Sequence, residues 1–262
     1  MKLEFACRVD IGIRESNDDR ALIPGKLLNI QIDSVSAEAP AAAIVCDGCG
    51  GYDGGGVAAE TVLQTVAQAL PETLADPKRL AQVLEAAKEA VFAKKEELPQ
   101  FSAMCTTVAG CVFREDATVI FHAGDSRVYR FDGNRLARMT VDHSLVRMMI
   151  DLGRITEEES RTDPRRNVIN RCIGIDCEAP EIYVTGPIEP GEIWLLCSDG
   201  LWEALEDERI RTLLDMDFDL QEKADLLVRE ALRRGSDDNT TACLITRPGE
   251  RAERESTPFI LD

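Results

Sequence analysis

Histidine is scarce in this sequence, which holds only His122 and His143 among 262 residues. Zinc sites are usually assembled from closely spaced His and Cys ligands, so a His-based zinc site is hard to build here. The chain also lacks long apolar runs, and no segment approaches the roughly 20 residues that a membrane-spanning helix requires. We therefore expect a soluble protein, in which both histidines are structural.

Positive charge is in short supply as well. Lys and Arg number 30 against 48 Asp and Glu, which gives a formal net charge of −18. Nucleic acids and anionic membranes are polyanions, so this charge argues against general binding to either of them. A phosphorylated ligand would need a local source of positive charge, from a metal ion or an arginine. We expect a monomer with no nucleic-acid or membrane partner.

Paired cysteine motifs are nearly missing, although the chain has nine cysteines. Cys46 and Cys49 form one C-x-x-C, but no second pair follows at zinc-site spacing. An odd number of cysteines, several inside apolar runs and with no signal peptide ahead of them, indicates buried, reduced thiols. We therefore expect a cytoplasmic protein.

Hydrophobic patterning predicts blocks of strands and paired helices. Strands are predicted early, with a turn at Pro24–Gly25, a polar connection at Ser34–Pro40 and a buried strand ending at Asp47. Helical periodicity predicts helices at 57–70, 77–98, 144–153, 207–214 and 219–234, with a surface segment at 157–166. Strands are predicted between them, including NVINRCIG, and NTTACLIT closes the pattern. Because helices do not follow every strand, we expect an α+β fold with antiparallel sheets, as one domain over 1–248 with a charged tail at 249–262.

Acidic residues recur where predicted strands end or begin, at Asp18–Asp19, Asp47, Asp125, Asp199 and Asp238. Any one of these sites taken alone is more often a simple turn. If they converge, however, their carboxylates repel one another, and Mg²⁺ or Mn²⁺ would remove that cost because hard cations prefer oxygen ligands. Two such ions about 3.5–4 Å apart can activate a water and clamp a phosphoryl oxygen.

The order of these sites resembles the metal-dependent type 2C protein serine/threonine phosphatases in their compact bacterial form. The resemblance runs from about Arg8 to Ile245. Seven short motifs carry it: Arg14 with Asp18–Asp19, then 47–51, 105–107, 124–127, 140–144, 198–201 and 238–241. It implies a four-layer αββα sandwich, with two antiparallel β-sheets flanked by pairs of helices. It also implies hydrolysis of phosphoserine and phosphothreonine by a water activated between two divalent metal ions.

The resemblance assigns roles to individual residues. Asp47 would bridge both Mn²⁺ or Mg²⁺ ions, and the Gly48 carbonyl would bind the second. Asp199 and Asp238 would complete the first ion's ligands, and Asp18 and Asp19 would hold metal-bound waters. Arg14 would bind the phosphate. Asp125 with Glu203 would form a third, weaker metal site, and Asn239 would order the Asp238 loop. A bidentate guanidinium suits the phosphate contact better than a lysine does.

Three positions depart from the family pattern. Asp18 stands where a Glu is usual, Cys49 replaces a Met or His, and Cys105 replaces a Gly. The alternative hypothesis is therefore a pseudophosphatase, or phosphoprotein-binding regulator, with weak or no turnover. A phosphatase of small phosphoesters is a further alternative. For the signalling enzyme, the expected partner is a phosphorylated protein, either a Ser/Thr kinase or its targets.

Overall fold

The computed structural model describes residues 1–49, 54–69 and 71–249. Two six-stranded antiparallel sheets and a two-stranded pair form its β-structure. The strands are β1 (Lys2–Asp10), β2 (Arg20–Ile23), β3 (Lys26–Leu28), β4 (Gln31–Glu38), β5 (Ala41–Cys46), β6 (Gly48–Cys49), β7 (Cys105–Thr106), β8 (Val108–Phe113), β9 (Thr118–Ala123), β10 (Arg127–Phe131), β11 (Leu136–Arg138), β12 (Glu181–Thr185), β13 (Ile193–Cys197) and β14 (Thr240–Thr246). One sheet has the order β11-β10-β13-β14-β1-β4, the other β12-β9-β8-β5-β2-β3, and β6 pairs with β7.

Helices cover the outer faces of the sheets. They are α1 (Gly55–Ala67), α2 (Pro71–Leu74), α3 (Pro77–Glu97), α4 (Leu145–Asp151), α5 (Glu157–Ser160), α6 (Asp199–Trp202), α7 (Asp207–Asp215) and α8 (Leu220–Arg233). The Asp76 side chain accepts hydrogen bonds from the backbone N–H groups of Lys78 and Arg79, which fixes the start of α3. The Asp219 side chain begins α8 in the same way, with Glu222 completing a capping box.

Three apolar cores give the molecule its four layers. The central core lies between the sheets and contains Phe5, Phe113 and Trp194, whose rings meet edge to face. A second core packs α1 and α3 against the outer face of the β5 sheet. A third packs α6, α7 and α8 against the outer face of the β14 sheet. The predicted sandwich of two antiparallel sheets flanked by helices is therefore confirmed.

Two predicted local structures are wrong. Ser34–Pro40 is not only a connection, because 34–38 belongs to β4, which pairs with β1 through Phe5 and Val35. β4 is an edge strand with one face open to solvent, so it tolerates polar residues. Those polar residues made the segment resemble a connection in the sequence. The NVINRCIG segment is not a strand and makes only isolated bridges, at Ile169 and Ile173. The surface segment at 157–166 begins with the helix α5.

No helix within the three described ranges is both long enough and apolar enough to cross a membrane. The single domain over 1–248 stays a prediction. The predicted tail at 249–262 lies outside the described residues except for Gly249.

Candidate metal centre

The strand pairing brings the acidic motifs to one end of the sandwich. In the first sheet, Asp10 at the end of β1 lies opposite Thr240 at the start of β14. Arg127 at the start of β10 lies opposite Cys197 at the end of β13. The loops that carry Asp238, Asp125 and Asp199 therefore lie at the same end of the sheet's strands. In the second sheet, Arg20 pairs with Cys46, so Asp19 and Asp47 also lie side by side.

These carboxyl groups perturb one another. The acids Asp19, Asp47, Asp125, Asp199 and Asp238 each have a raised pKa, firstly because burial penalises the charged form. Neighbouring carboxylates raise it further, and for Asp47 the largest such contribution comes from Asp199. The pKa values of Asp19 and Asp125 reach about 7. The folded protein by itself therefore disfavours the ionised form of these carboxyl groups.

The closest grouping of possible metal ligands lies elsewhere. Among the described residues, only His122, His143 and Glu181 bring three ligand atoms within 4.8 Å of one another, and no three aspartates do so.

Hydrogen bonding argues against a metal at that histidine group. The backbone N–H of Gly124 donates to His143 Nδ1, which leaves the proton on Nε2, 3.3 Å from Glu181 Oε1. His122 Nε2 donates to the Val141 carbonyl at 3.0 Å. Both Nε2 atoms thus carry protons that a metal ion would have to displace. The rings stack at 4.4 Å, which indicates a structural pair.

Asp19 is the most buried of the aspartates, with 1% of its surface exposed. Its Oδ2 accepts hydrogen bonds from Ser198 Oγ at 2.6 Å and from Thr241 Oγ1 at 2.7 Å. Its Oδ1 is buried and has no hydrogen-bond partner among the described protein atoms. An orphaned carboxylate oxygen is costly, so this atom calls for a cation or a donor that the side chains around it do not supply.

The backbone around Asp47 is held by two threonines. Thr107 donates to the Asp47 carbonyl from its backbone N–H at 2.8 Å, and Thr106 donates to the same oxygen from Oγ1 at 2.9 Å. Gly48 follows and lies tightly against the first turn of α1. A Cβ on Gly48 would lie 2.2 Å from the carbonyl carbon of Gly55. Only glycine permits this close approach, which positions the Gly48 carbonyl beside the helix start.

Asp18 and Asn239 are tied together across the site. The Asp18 backbone N–H donates to Asn239 Oδ1 at 2.7 Å, and Asp18 Oδ1 accepts from the Gly56 N–H at 2.9 Å. The Asn239 amide nitrogen donates to the carbonyls of Ile11 and Ser16, each at 2.9 Å. Asn239 therefore joins the loop after β1 to the loop before β14. The shortened acid at position 18 is held against the N-terminus of α1.

Asp125 lies in a polar wall of the site. Its carbonyl accepts from Trp202 Nε1 at 3.0 Å, and the Arg127 guanidinium stacks 3.5 Å from the centre of the Trp202 ring. Asp142 binds the same guanidinium at 3.0 and 2.7 Å. A cleft of about 700 Å³ opens beside Asp125, Glu203 and Asp238. Its lining includes the basic residues Arg127, Arg138, Arg147, Arg161, Arg166 and Arg234.

The structure thus brings Asp18, Asp19, Asp47, Asp199 and Asp238 to one end of the sandwich, with Asp125 beside them. Arg14 reaches Asp238 from the loop after β1. Gly50 and Gly51 of the predicted glycine loop lie outside the described residues. The assignment of individual ligands stays a prediction. Four residues support the site without having been assigned a role from the sequence: Ser198, Thr106, Thr107 and Thr241. Their position inside the motifs 105–107, 198–201 and 238–241 could have indicated them.

Comparisons with known proteins agree with this geometry. The family model described as "Protein phosphatase 2C" matches residues 31–234. A serine/threonine phosphatase, stp, of Listeria welshimeri is 31% identical over 211 residues, which cover 78% of this chain and 83% of that protein. The protein phosphatase PhpP of Streptococcus pneumoniae is 30% identical over 215 residues, covering 80% and 87%.

Solved structures show the same likeness. The Mycobacterium tuberculosis serine/threonine phosphatase PstP/Ppp superposes with a TM-score of 0.81 at 30% identity, covering 95% of this chain and 100% of that one. A PstP catalytic domain in complex with two manganese ions gives a TM-score of 0.77 at 28% identity, covering 94% and 99%.

Proposed function

This chain belongs to the protein phosphatase 2C family, and from that membership we propose that it is a metal-dependent protein serine/threonine phosphatase. Its relatives include proteins named as serine/threonine phosphatases. The single observation that carries the proposal is the convergence of buried carboxyl groups at one end of the sandwich, where burial and then neighbouring carboxylates raise the pKa of Asp47 and Asp199. Such a cluster is unfavourable for the fold alone and suits a site for cations.

The donor set fits hard divalent cations. It offers carboxylate and carbonyl oxygens, with the orphaned Asp19 Oδ1 among them, and such ligands suit Mg²⁺ or Mn²⁺. The residues that would hold two such ions are Asp47, the Gly48 carbonyl, Asp199 and Asp238, with Asp18 and Asp19 acting through water. Asp125 and Glu203 would form a third, weaker site. When bound, the ions would supply a water of lowered pKa and neutralise phosphate charge.

The protein's own residues would position the substrate. Arg14 is half exposed at the mouth of the site, and its planar guanidinium can bind two phosphate oxygens at once. The adjoining cleft is lined by six arginines and eight acidic residues, so in a protein of net charge −18 the attraction of a phosphorylated segment would depend on Arg14 and the bound cations. The proposed substrates are phosphoserine and phosphothreonine in a Ser/Thr kinase or in its targets. Nine free thiols support a cytoplasmic location, and we propose a monomer.

A phosphate-release assay tests the function. The purified protein is given a phosphothreonine peptide with Mn²⁺, with Mg²⁺ or with a chelator. We expect turnover with metal and none with chelator, and a loss of at least 100-fold for Asp47→Asn. Asp217→Asn, which alters an exposed carboxylate on the loop before α8, is the matched control and should keep its activity.

Two results would contradict the proposal. Turnover that survives both chelator and Asp47→Asn would exclude the metal site. Absence of metal-dependent turnover in the folded, unmodified protein would favour the pseudophosphatase alternative.

A further inference from the structure

Three cysteines lie on neighbouring segments beside Asp47 and Gly48. Cys49 follows Gly48 on β6, Cys105 lies on β7, and Cys172 lies on the segment that bridges to Thr106. The Cys105 thiol donates a hydrogen bond to the backbone carbonyl of Cys49 at 3.7 Å, and the Cys49 thiol donates to the Asp47 carbonyl at 3.4 Å. The sequence pattern pointed to the C-x-x-C of Cys46 and Cys49, but the fold places Cys49 against Cys105 instead.

Strand register determines which two of these thiols can be joined. Cys49 and Cys105 lie directly opposite each other in the antiparallel β6–β7 pair. Opposite residues have Cα atoms about 4.5–5.5 Å apart, within the range that a disulfide spans. Because Thr106 bridges to Ile173, Cys172 is a diagonal neighbour of Cys105. Diagonal positions lie about 7–8 Å apart, at or beyond the limit for a disulfide.

The surroundings of Cys105 favour its thiolate form. The neighbouring Cys172 and Cys49 side chains lower the pKa of Cys105, and the positive charge of Lys95 adds to this against the opposing effect of burial. The thiolate is the reactive form of cysteine. Cys49 is half-buried, so the pair is open to a small oxidant.

We propose that Cys49 and Cys105 form a redox-sensitive thiol pair, which a peroxide oxidises to a disulfide beside the metal centre. The Cys105 thiolate attacks one peroxide oxygen, giving a sulfenic acid and releasing hydroxide. The Cys49 thiol then attacks the sulfenic sulfur, the S–O bond breaks, and the oxygen leaves as water. In sum, two thiols and one H₂O₂ give one disulfide and two waters, and a small-molecule dithiol reverses the reaction.

The disulfide acts on phosphatase activity through Gly48, so this part of the inference rests on the proposed function. Gly48 is already wedged against Gly55 and precedes Cys49 directly. The Asp47 carbonyl accepts hydrogen bonds from Thr106 and Thr107, which follow Cys105. A covalent link between Cys49 and Cys105 therefore pulls on both sides of the segment whose carboxylate and carbonyl are the proposed metal ligands. The oxidised form should be less active.

Peptide mapping tests the link independently of activity. The reduced protein, kept free of metal, is treated with H₂O₂ and desalted, its free thiols are alkylated, and it is digested without reduction. Mass spectrometry should find a peptide pair joined through Cys49 and Cys105. Cys7 and Cys243 are an internal control, because they are also direct cross-strand partners but are fully buried. They should remain reduced.

Portions of the same oxidised and desalted protein, taken before alkylation and digestion and supplied with Mg²⁺, give the activity readout. Oxidation should lower phosphopeptide turnover at least fivefold, and dithiothreitol should restore it. Cys49→Ala, and Cys105→Ser as a second variant, should resist the oxidant, whereas Cys177→Ala should remain sensitive. Absence of the joined peptide, or equal inactivation of Cys49→Ala, would overturn the inference. A joined peptide in a protein that is inactive even when reduced would support the thiol pair and contradict the proposed function.

Discussion

The Arg14 guanidinium is paired with Asp238 across the mouth of the proposed metal centre. Its Nη2 donates to Asp238 Oδ2 at 2.8 Å, and its Nε donates to the Asp237 carbonyl at the same distance. The residue expected to hold phosphate is thus paired with a residue expected to hold metal. A cation at Asp238 would compete with Arg14 for that carboxylate and leave the guanidinium free to bind an anion.

Arg14→Lys should mainly weaken substrate binding. A lysine keeps the charge but lacks the fork that binds two oxygens, so we expect KM for a phosphopeptide to rise about tenfold, with a smaller change in kcat. Steady-state kinetics at saturating metal measures both. Arg229→Lys, which changes an exposed ion pair with Asp225 on α8, should leave both constants unchanged. A fall in kcat alone would show that Arg14 acts on the chemical step instead.

Asp199→Asn should stabilise the metal-free protein while abolishing its metal response. Burial and the carboxyl groups of Asp125 and Asp238 raise the pKa of Asp199, so a neutral amide relieves that repulsion. At pH 7.5 with chelator we expect a Tm increase of roughly 2–4 °C, the effect of about 1 kcal/mol in a domain of this size. Calorimetry with and without Mn²⁺ tests this, since only the unmodified protein should gain stability from the ion.

The metal-free protein should also lose stability as the pH rises. Carboxyl groups whose folded pKa is raised bind more protons in the folded state than in the unfolded state. For Asp19 and Asp125, with folded pKa values of about 7, the stabilisation is complete below about pH 4 and is lost as the pH approaches 7. In chelator, Asp125→Asn should therefore flatten the stability profile between pH 5 and 7. An unchanged profile would contradict this.

Asn239→Asp should destabilise the site despite its nearly identical shape. The Asn239 amide nitrogen donates hydrogen bonds to the Ile11 and Ser16 carbonyls. An aspartate would place a carboxylate oxygen there, which cannot donate to either carbonyl. We expect a loss of about 1–3 kcal/mol in the free energy of unfolding. Urea denaturation measures it, with the exposed Asn134→Asp as control. Equal stability of the two variants would show that Asn239 is not the joint between these loops.

The stacked histidines should make the protein less stable in mild acid. Burial lowers the pKa of both His122 and His143, with Glu181 opposing this effect and Arg171 adding to it. The unfolded state therefore binds more protons, and the stabilisation is present above about pH 6.5 and is lost as the pH falls below it. Each histidine contributes at most about 1.4 kcal/mol per pH unit. In Mg²⁺-saturated protein, His122→Gln should make the free energy of unfolding depend less steeply on pH between pH 6.5 and 5. The same slope in the variant and the unmodified protein would show that the histidine pair does not cause the loss of stability.

Local patterns were reliable where a short segment has one stable solution. The helix predicted at 77–98 is present as Pro77–Glu97, because its apolar spacing is a property of residues within a few turns of one another. The edge strand β4 was not, since its residues are polar and only pairing with β1 makes them a strand. Likewise, apolar residues around Ile169 resembled a strand that the fold never pairs along its length.

The sequence by itself determined the order of the acidic motifs, the scarcity of histidine and the helix-paired α+β layout, because each of these is a property of neighbouring residues. Only the tertiary structure decided how the aspartates relate to one another and to Arg14, since residues more than 200 positions apart meet through strand register. It also decided that Cys49 faces Cys105. Such contacts depend on which strands pair, and that choice is made by packing over the whole sandwich.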